Sequence, residues 1–192
     1  MSRVATEPPA GTDIAGTWKL DPQHSTDSRK ALDELMKDAR KARGGPRARV
    51  GMSDYGSDAA LLAPPPMVFA PDLSLQRSLL ANGDWLRIEQ RPGEIVISNA
   101  ESSHTYVPGE RSVVSVPGGV ADQRSGWKGR AYWISLKPQV GPRATETFAL
   151  SPDGKQLIET IELGKDGRVP SLTVKRTYDP TREPPSAVPT DD

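Results

Sequence analysis

The sequence contains no cysteine. This absence excludes disulfide bonds, thiol nucleophiles and cysteine-ligated metal sites. It is compatible with a reducing cytosol and equally with an envelope protein that needs no cross-links.

Aromatic residues and long apolar runs are also scarce. Aromatic residues make up 5% of the chain and hydrophobic residues 35%. No apolar run approaches the roughly 18 residues that a membrane-spanning helix requires. The 192 residues are enough for one domain with a modest core.

The chain has no excess of either charge, because Lys+Arg and Asp+Glu both number 25. A general nucleic-acid-binding protein would show a basic excess. We therefore expect no nucleic-acid partner.

The first residues, MSRVATEPPAGTD, lack the apolar core of a signal peptide. A polar, proline-containing leader is nevertheless typical of an exported protein whose signal has been removed. We predict a location in the periplasm or at the outer membrane, with the cytoplasm as the alternative.

The predicted domain covers residues 14–179, between a disordered leader at 1–13 and a disordered proline-rich tail at 180–192. An amphipathic helix is predicted at about 27–42, because Leu32, Leu35, Met36 and Ala39 follow helical spacing. A mobile insertion is predicted at 44–66, and a short second helix at about 72–82.

From Trp85 onward the apolar residues alternate with a period of two, and Asp-Gly turns separate several of the segments. This pattern predicts a mainly β fold: a single up-and-down antiparallel barrel of about eight strands, or a sandwich. Both helices then lie between the first and second strands. The Gly-rich stretch 118–129 is predicted to be a loop.

Barrel closure is predicted from the first and last strands. Arg176 shares the apolar face of the last strand with Val174 and Tyr178, and Trp18 lies on the apolar face of the first. A buried arginine needs a partner, and a guanidinium stacks well on an indole. We therefore predict that Trp18 contacts Arg176, which requires the two strands to be neighbours.

Gly16, Thr17 and Trp18, together with Arg176, resemble the Gly-x-Trp…Arg signature of lipocalin-like (calycin) barrels. The layout of residues 14–179, including GTWKLDP, SGWKGR and LSPDGKQL, is also similar to uncharacterised envelope proteins of Gram-negative bacteria. The long insertion and the lack of a disulfide depart from true lipocalins. The resemblance therefore implies a barrel without fixing its ligand.

Further interior residues are predicted on apolar faces: Glu146 beside Phe148, and Glu159 beside Leu157 and Ile161. The functional interpretation is a polar floor beneath a ligand pocket. The structural alternative, which we favour, is that one carboxylate pairs with Arg176. Two such carboxylates also suggest glycoside hydrolysis, but no substrate-binding aromatic residues accompany them.

Two surface candidates carry basic residues. Trp127, Lys128 and Arg130 form either an exposed tip for a glycan, lipid headgroup or protein, or a buried plug with basic flanks; we favour the plug. The basic end of the first helix attracts an acidic partner or simply complements the helix dipole. Its candidate residues are Arg40, Lys41 and Arg43.

No catalytic constellation is found, and no cofactor or metal is predicted. The two histidines, His24 and His104, lack metal-ligand spacing, and no nucleophile motif accompanies them. We predict a non-enzymatic binding protein of the bacterial cell envelope that holds a small apolar or amphiphilic ligand in the barrel. The alternative is an interaction module with a solid barrel core that binds a protein through its outer surface.

Overall fold

The computed structural model describes residues 4–43, 73–81, 83–164 and 171–183. The predicted insertion at 44–66 and the end of the predicted tail lie outside the described residues.

The described chain is mainly β, with two helices after the first strand. The elements are β1 (Gly16–Leu20), α1 (Ser28–Arg43), α2 (Ser74–Ala81), β2 (Trp85–Arg91), β3 (Glu94–Ser98), β4 (Ser103–Tyr106), β5 (Arg111–Val116), β6 (Gly119–Lys128), β7 (Ala131–Pro138), β8 (Ala144–Leu150), β9 (Leu157–Leu163) and β10 (Leu172–Pro180).

The strands form one antiparallel sheet in the order β4-β3-β2-β1-β10-β9-β8-β7-β6-β5. Strands that follow one another in the chain are paired, apart from β4 and β5, which do not pair within the described residues. In addition, the first strand, β1, pairs with the last strand, β10. The sheet curls around one interior, so that β4 and β5 are its two ends. The predicted pairing of the first and last strands is confirmed.

The predicted count of about eight strands was too low, since the described residues form ten. One reason is that residues 119–128, predicted to be part of a loop, form β6. Four consecutive polar residues, 122–125, interrupt the apolar alternation there. Cross-strand pairing with both β5 and β7 holds this segment extended in spite of its composition.

Both predicted helices are present, with ends shifted by one or two residues. The carboxylate of Asp27 accepts backbone hydrogen bonds from Arg29 and Lys30, each 3.0 Å long, and so caps α1. The apolar side of the helices, including Leu35 and Leu80, joins a core cluster with residues of β6 to β10. Neither described helix combines the length and the apolar character needed to cross a bilayer.

The leader predicted to be disordered is ordered where the structure describes it. Ala5 and Trp127 exchange two backbone hydrogen bonds of 2.9 Å, and Thr12 is buried. Gly126 permits this close approach, because a Cβ there would lie 2.9 Å from the Ala5 carbonyl oxygen. The leader thus pairs with β6 just beyond Arg124, the residue at which the pairing of β6 with the start of β5 stops.

Candidate functional site

The predicted stacking of Arg176 on Trp18 is wrong, although their strands are neighbours. Trp18 lies opposite Pro180, four positions beyond Arg176 on β10. The Trp18 indole N–H donates a 3.2 Å hydrogen bond to the Ile14 carbonyl. Trp18 is a buried core residue, as predicted, but the register keeps it away from the guanidinium.

Arg176 instead forms an ion pair with Glu159, its cross-strand partner on β9, at 3.2 Å. Tyr178 donates a 2.7 Å hydrogen bond to the same carboxylate oxygen. Burial disfavours the charge of Arg176, but the nearby Glu159 offsets burial and raises the pKa of the guanidinium. The structural alternative predicted for one of the two interior carboxylates therefore holds for Glu159.

The same guanidinium ties the helices to the sheet. It donates to the Ser28 hydroxyl at 3.2 Å, at the start of α1, and to the Leu80 carbonyl at 2.8 Å, near the end of α2. The backbone of Gly83 packs directly against Arg176, since a Cβ added at Gly83 would lie 2.6 Å from the guanidinium carbon. Arg176 thus joins β9, β10 and both helices.

Glu146 lies on β8, the strand next to β9, and is the diagonal neighbour of Glu159. Its cross-strand neighbours are Ile134 and Ile161, both buried. Burial, with a smaller contribution from Glu159 and opposed by Arg176, raises the pKa of Glu146 to about 8. No described residue hydrogen-bonds to its carboxyl group, which faces a cavity.

This cavity has a volume of about 170 Å³ and runs inward from α2, the β3–β4 turn and β5. Its inner part carries the carboxyls of Glu146 and Glu159 beside the Phe148 ring. Apolar side chains form most of the wall: Leu75, Leu79, Leu86, Ile97, Tyr106, Val114, Val116, Pro117 and Leu136. The mouth lies where β4 and β5 separate, and it carries Asn99, Ser102, His104 and Ser115.

The candidate aromatic-basic tip, made of Trp127, Lys128 and Arg130, is not exposed at its central residue, Trp127. Trp127 is 1% exposed and packs edge-on against Tyr132, with ring centroids 5.2 Å apart. Lys128 lies 3.5 Å above the ring of the outward-facing Trp133, and the exposed Arg130 donates to the Gly11 carbonyl at 3.4 Å. Trp127 is therefore buried, as the favoured alternative required, but it is a core residue of strand β6 rather than a loop residue that covers the end of the barrel. The side chains of Arg40, Lys41 and Arg43 fall outside the described part of the chain.

Within the described ranges, no group of three or more metal-ligating side chains is arranged around a common point. His24 bonds Asp21 and lowers the pKa of that carboxyl through a side-chain hydrogen bond. His104 packs near Tyr106 with ring centroids 6.3 Å apart. The two histidines therefore occupy separate places.

Sequence reasoning did not name Tyr106 or Tyr178 among the candidate site residues. Burial raises the pKa of both hydroxyls, with further contributions from Glu146 for Tyr106 and from Glu159 for Tyr178. Alternation placed Tyr178 on the Arg176 face, which is a usable signal. For Tyr106 the sequence carried no comparable signal, because its strand has only four residues.

No protein-family model matches this chain, and no curated protein matches it. Among solved structures it resembles the REP1-NXSQ fatty acid transporter, with 13% identity, a TM-score of 0.50, and coverage of 90% of this chain and 98% of that one. Apo lipid binding protein 8 of Caenorhabditis elegans gives 12% identity, a TM-score of 0.50 and coverage of 90% and 100%.

A secretory abundant heat soluble protein of Ramazzottius varieornatus gives 12% identity, a TM-score of 0.51, and coverage of 91% of this chain and 100% of that one. At this identity the likeness concerns the fold. The chain has the lipocalin-like (calycin) β-barrel fold. None of these likenesses concerns envelope proteins of Gram-negative bacteria.

Proposed function

We propose that this protein is a non-enzymatic binding protein that holds a small apolar or amphiphilic ligand inside the barrel. The observation that carries the proposal is the cavity of about 170 Å³, with apolar walls and a polar inner end. Such a combination buries an aliphatic chain and orients one polar group. The names of two similar structures, a fatty acid transporter and a lipid binding protein, point to the same ligand chemistry.

The size of the cavity limits the ligand. An apolar cavity of about 150 Å³ holds one benzene molecule, whereas sites for drug-sized ligands usually measure about 300–1,000 Å³. A cavity of about 170 Å³ therefore accepts a short aliphatic chain or a single ring. A longer chain would extend through the mouth between β4 and β5.

Titration with octanol tests this proposal, because octanol pairs a short chain with an uncharged head. Amide proton–nitrogen NMR spectra should show saturable shifts centred on the lining residues of β7 and β8. Ser78 on α2 lies at the mouth, so Ser78→Trp should block binding. Arg77→Trp, at the exposed neighbouring position outside the lining, should retain it.

Two results would contradict the proposal. One is the absence of saturable shifts in the wild-type protein, and the other is equal binding by Ser78→Trp and Arg77→Trp. Shifts confined to the outer surface would instead support the alternative of an interaction module with a filled barrel.

A place in the bacterial cell envelope remains part of the proposal, supported by the sequence resemblance alone. Fractionation of the native host, with detection by an antibody against this chain, tests it. Recovery in the periplasmic or membrane fraction is the expected result, and recovery in the cytosol would contradict it.

A further inference from the structure

The inner end of the cavity carries two carboxyl groups and no basic side chain. Glu146 and Glu159 both line it, whereas none of the described lining residues is lysine or arginine. The nearest imidazole, His104, lies at the exposed mouth. A head group that brings positive charge and hydrogen-bond donors therefore meets carboxyl oxygens here and no repelling lysine or arginine among the described lining residues.

The one guanidinium nearby is directed elsewhere. Arg176 does not line this cavity; it lines a separate depression beside Ser28, Leu80 and Gly83. All three of its nitrogens donate a hydrogen bond, to Ser28, Glu159 and the Leu80 carbonyl respectively. Because its charge is already paired, Arg176 is a poor binding partner for an anionic ligand.

Each cavity carboxyl has an acceptor to spare. Arg176 and Tyr178 both bond Oε2 of Glu159, and no described residue donates to its Oε1. Glu146 receives no hydrogen bond from any described residue, and it lies between Ile134 and Ile161 on the adjacent strands. Glu146 and Glu159 are diagonal neighbours on adjacent strands, a spacing at which one small head group reaches both.

We propose that the ligand is a small aliphatic amine whose ammonium group lies against Glu146 and Glu159 while its chain packs on Phe148 and Leu136. This inference rests on the proposed function, because it names the head group of the ligand that the barrel holds. A carboxylate head would instead face two acidic groups with no free cation among the described lining residues.

If an ammonium group binds at Glu146, a proton should be released, and this release can be measured. The groups that face Glu146 are Tyr106 from β4, Glu159 from β9 and Arg176 from β10, with His104 at the mouth. Burial, with a smaller contribution from Glu159 and opposed by Arg176, raises the pKa of Glu146 to about 8, so the Glu146 carboxyl is largely protonated at neutral pH before a ligand binds. When an ammonium ion binds, the Glu146 O–H bond breaks, the proton goes to solvent, and the carboxylate pairs with the ligand.

The test is isothermal titration calorimetry with octylamine, octanol and octanoate, which share one chain and differ in the head group. At pH 7.5 octylamine should bind about tenfold or more tightly than octanol, as expected for a charge-assisted hydrogen bond. Octanoate should bind more weakly than octanol. Repeating the octylamine titration in buffers of different ionisation enthalpy should reveal proton release.

Glu146→Gln is the matched variant, since it keeps the shape of the side chain and cannot ionise. It should bind octylamine no more tightly than octanol and release no proton on binding, because no carboxylate remains at this position to pair with the ammonium group. Glu162→Gln removes an exposed carboxylate from the outer face of β9 and should retain both properties.

The outcomes separate the two proposals. If octanol binds in the cavity but octylamine binds no more tightly, or if octanoate binds best, the amine inference is overturned and the proposed function stands. Retention of the preference and the proton release by Glu146→Gln would also overturn the inference. If none of the three compounds binds, the proposed function itself fails. Should Glu146→Gln not fold, the head-group series and the proton release of the wild-type protein still decide.

Discussion

Glu159 and Arg176 form a 3.2 Å ion pair whose side chains are 4% and 3% exposed. The two residues are direct cross-strand neighbours on β9 and β10. Hydrogen bonds from Tyr178 to Glu159 and from Arg176 to both helices complete the pairing. This network ties both helices to the sheet and leaves the carboxyl group of the adjacent Glu146 facing the cavity with no hydrogen bond from a described residue.

Breaking the pair on one side should be strongly destabilising. Arg176→Leu and Glu159→Leu should each lower the free energy of unfolding by about 3–5 kcal/mol, because each leaves an uncompensated buried charge. The double variant should be less destabilised than the sum of the two. Urea denaturation measures all three proteins.

The exposed pair of Lys19 and Glu183 provides the control. Its side chains are 62% and 74% exposed at 2.9 Å, so Glu183→Gln should leave the urea midpoint almost unchanged. Additive effects of the Arg176 and Glu159 substitutions would contradict the coupling inferred here.

Gly83 is predicted to be required for the position of Arg176. In Gly83→Ala the new Cβ would lie 2.6 Å from a guanidinium carbon that several hydrogen bonds hold in place. We expect a loss of about 1–3 kcal/mol of stability, as for other overpacked sites. At Gly164 a Cβ would be 3.4 Å from its nearest neighbour, so Gly164→Ala should cost clearly less. Equal thermal melting temperatures would contradict this account.

Stability should fall as the pH rises through the range in which Glu146 titrates. In the folded protein the pKa of Glu146 is raised from its usual 4.5 to about 8. Between these values the unfolded chain releases a proton that the folded protein retains, so unfolding becomes easier as the pH increases. The loss begins above the lower value and is complete above the higher one.

Glu146→Gln removes this contribution and leaves other titrating groups in place. The variant should therefore gain stability relative to the wild type between pH 5 and pH 9, by an amount on the order of a few kcal/mol, since each pKa unit corresponds to about 1.4 kcal/mol. Urea midpoints of both proteins across this range provide the measurement. A constant difference would show that Glu146 titrates normally.

Replacing either of the two tryptophans of the β6–β7 hairpin by alanine should lower the free energy of unfolding, but by different amounts. Trp127 is 1% exposed inside the barrel, so Trp127→Ala should cost about 3–5 kcal/mol. Trp133 faces outward beneath Lys128, and Trp133→Ala should cost clearly less. A larger loss for Trp133 in chemical denaturation would reverse the inward and outward faces assigned here.

Much of the fold was predictable from local patterns. Alternation placed Arg176, Glu159 and Glu146 on interior faces, because a strand repeats every two residues whatever its partner. It could not predict the register between β1 and β10, which no turn connects. Closure therefore brought Trp18 opposite Pro180 rather than near Arg176.

Two further features depend on non-local packing. The polar run at 122–125 is held as part of β6 by strands on both sides, so its composition alone predicted a loop. The cavity arises from how side chains of several strands fill the interior, and the sequence left both a ligand-holding barrel and a solid core open. Glu146 and Glu159 could thus be predicted from the sequence as interior residues, whereas the cavity that they line could not.

Native mass spectrometry of the protein purified from its own host tests ligand binding in the barrel most directly. The account predicts a small-molecule adduct on the wild-type protein and on Arg77→Trp, and its absence from Ser78→Trp, whose side chain blocks the cavity mouth. Adduct-free spectra for all three proteins, or an adduct retained by Ser78→Trp, would contradict it.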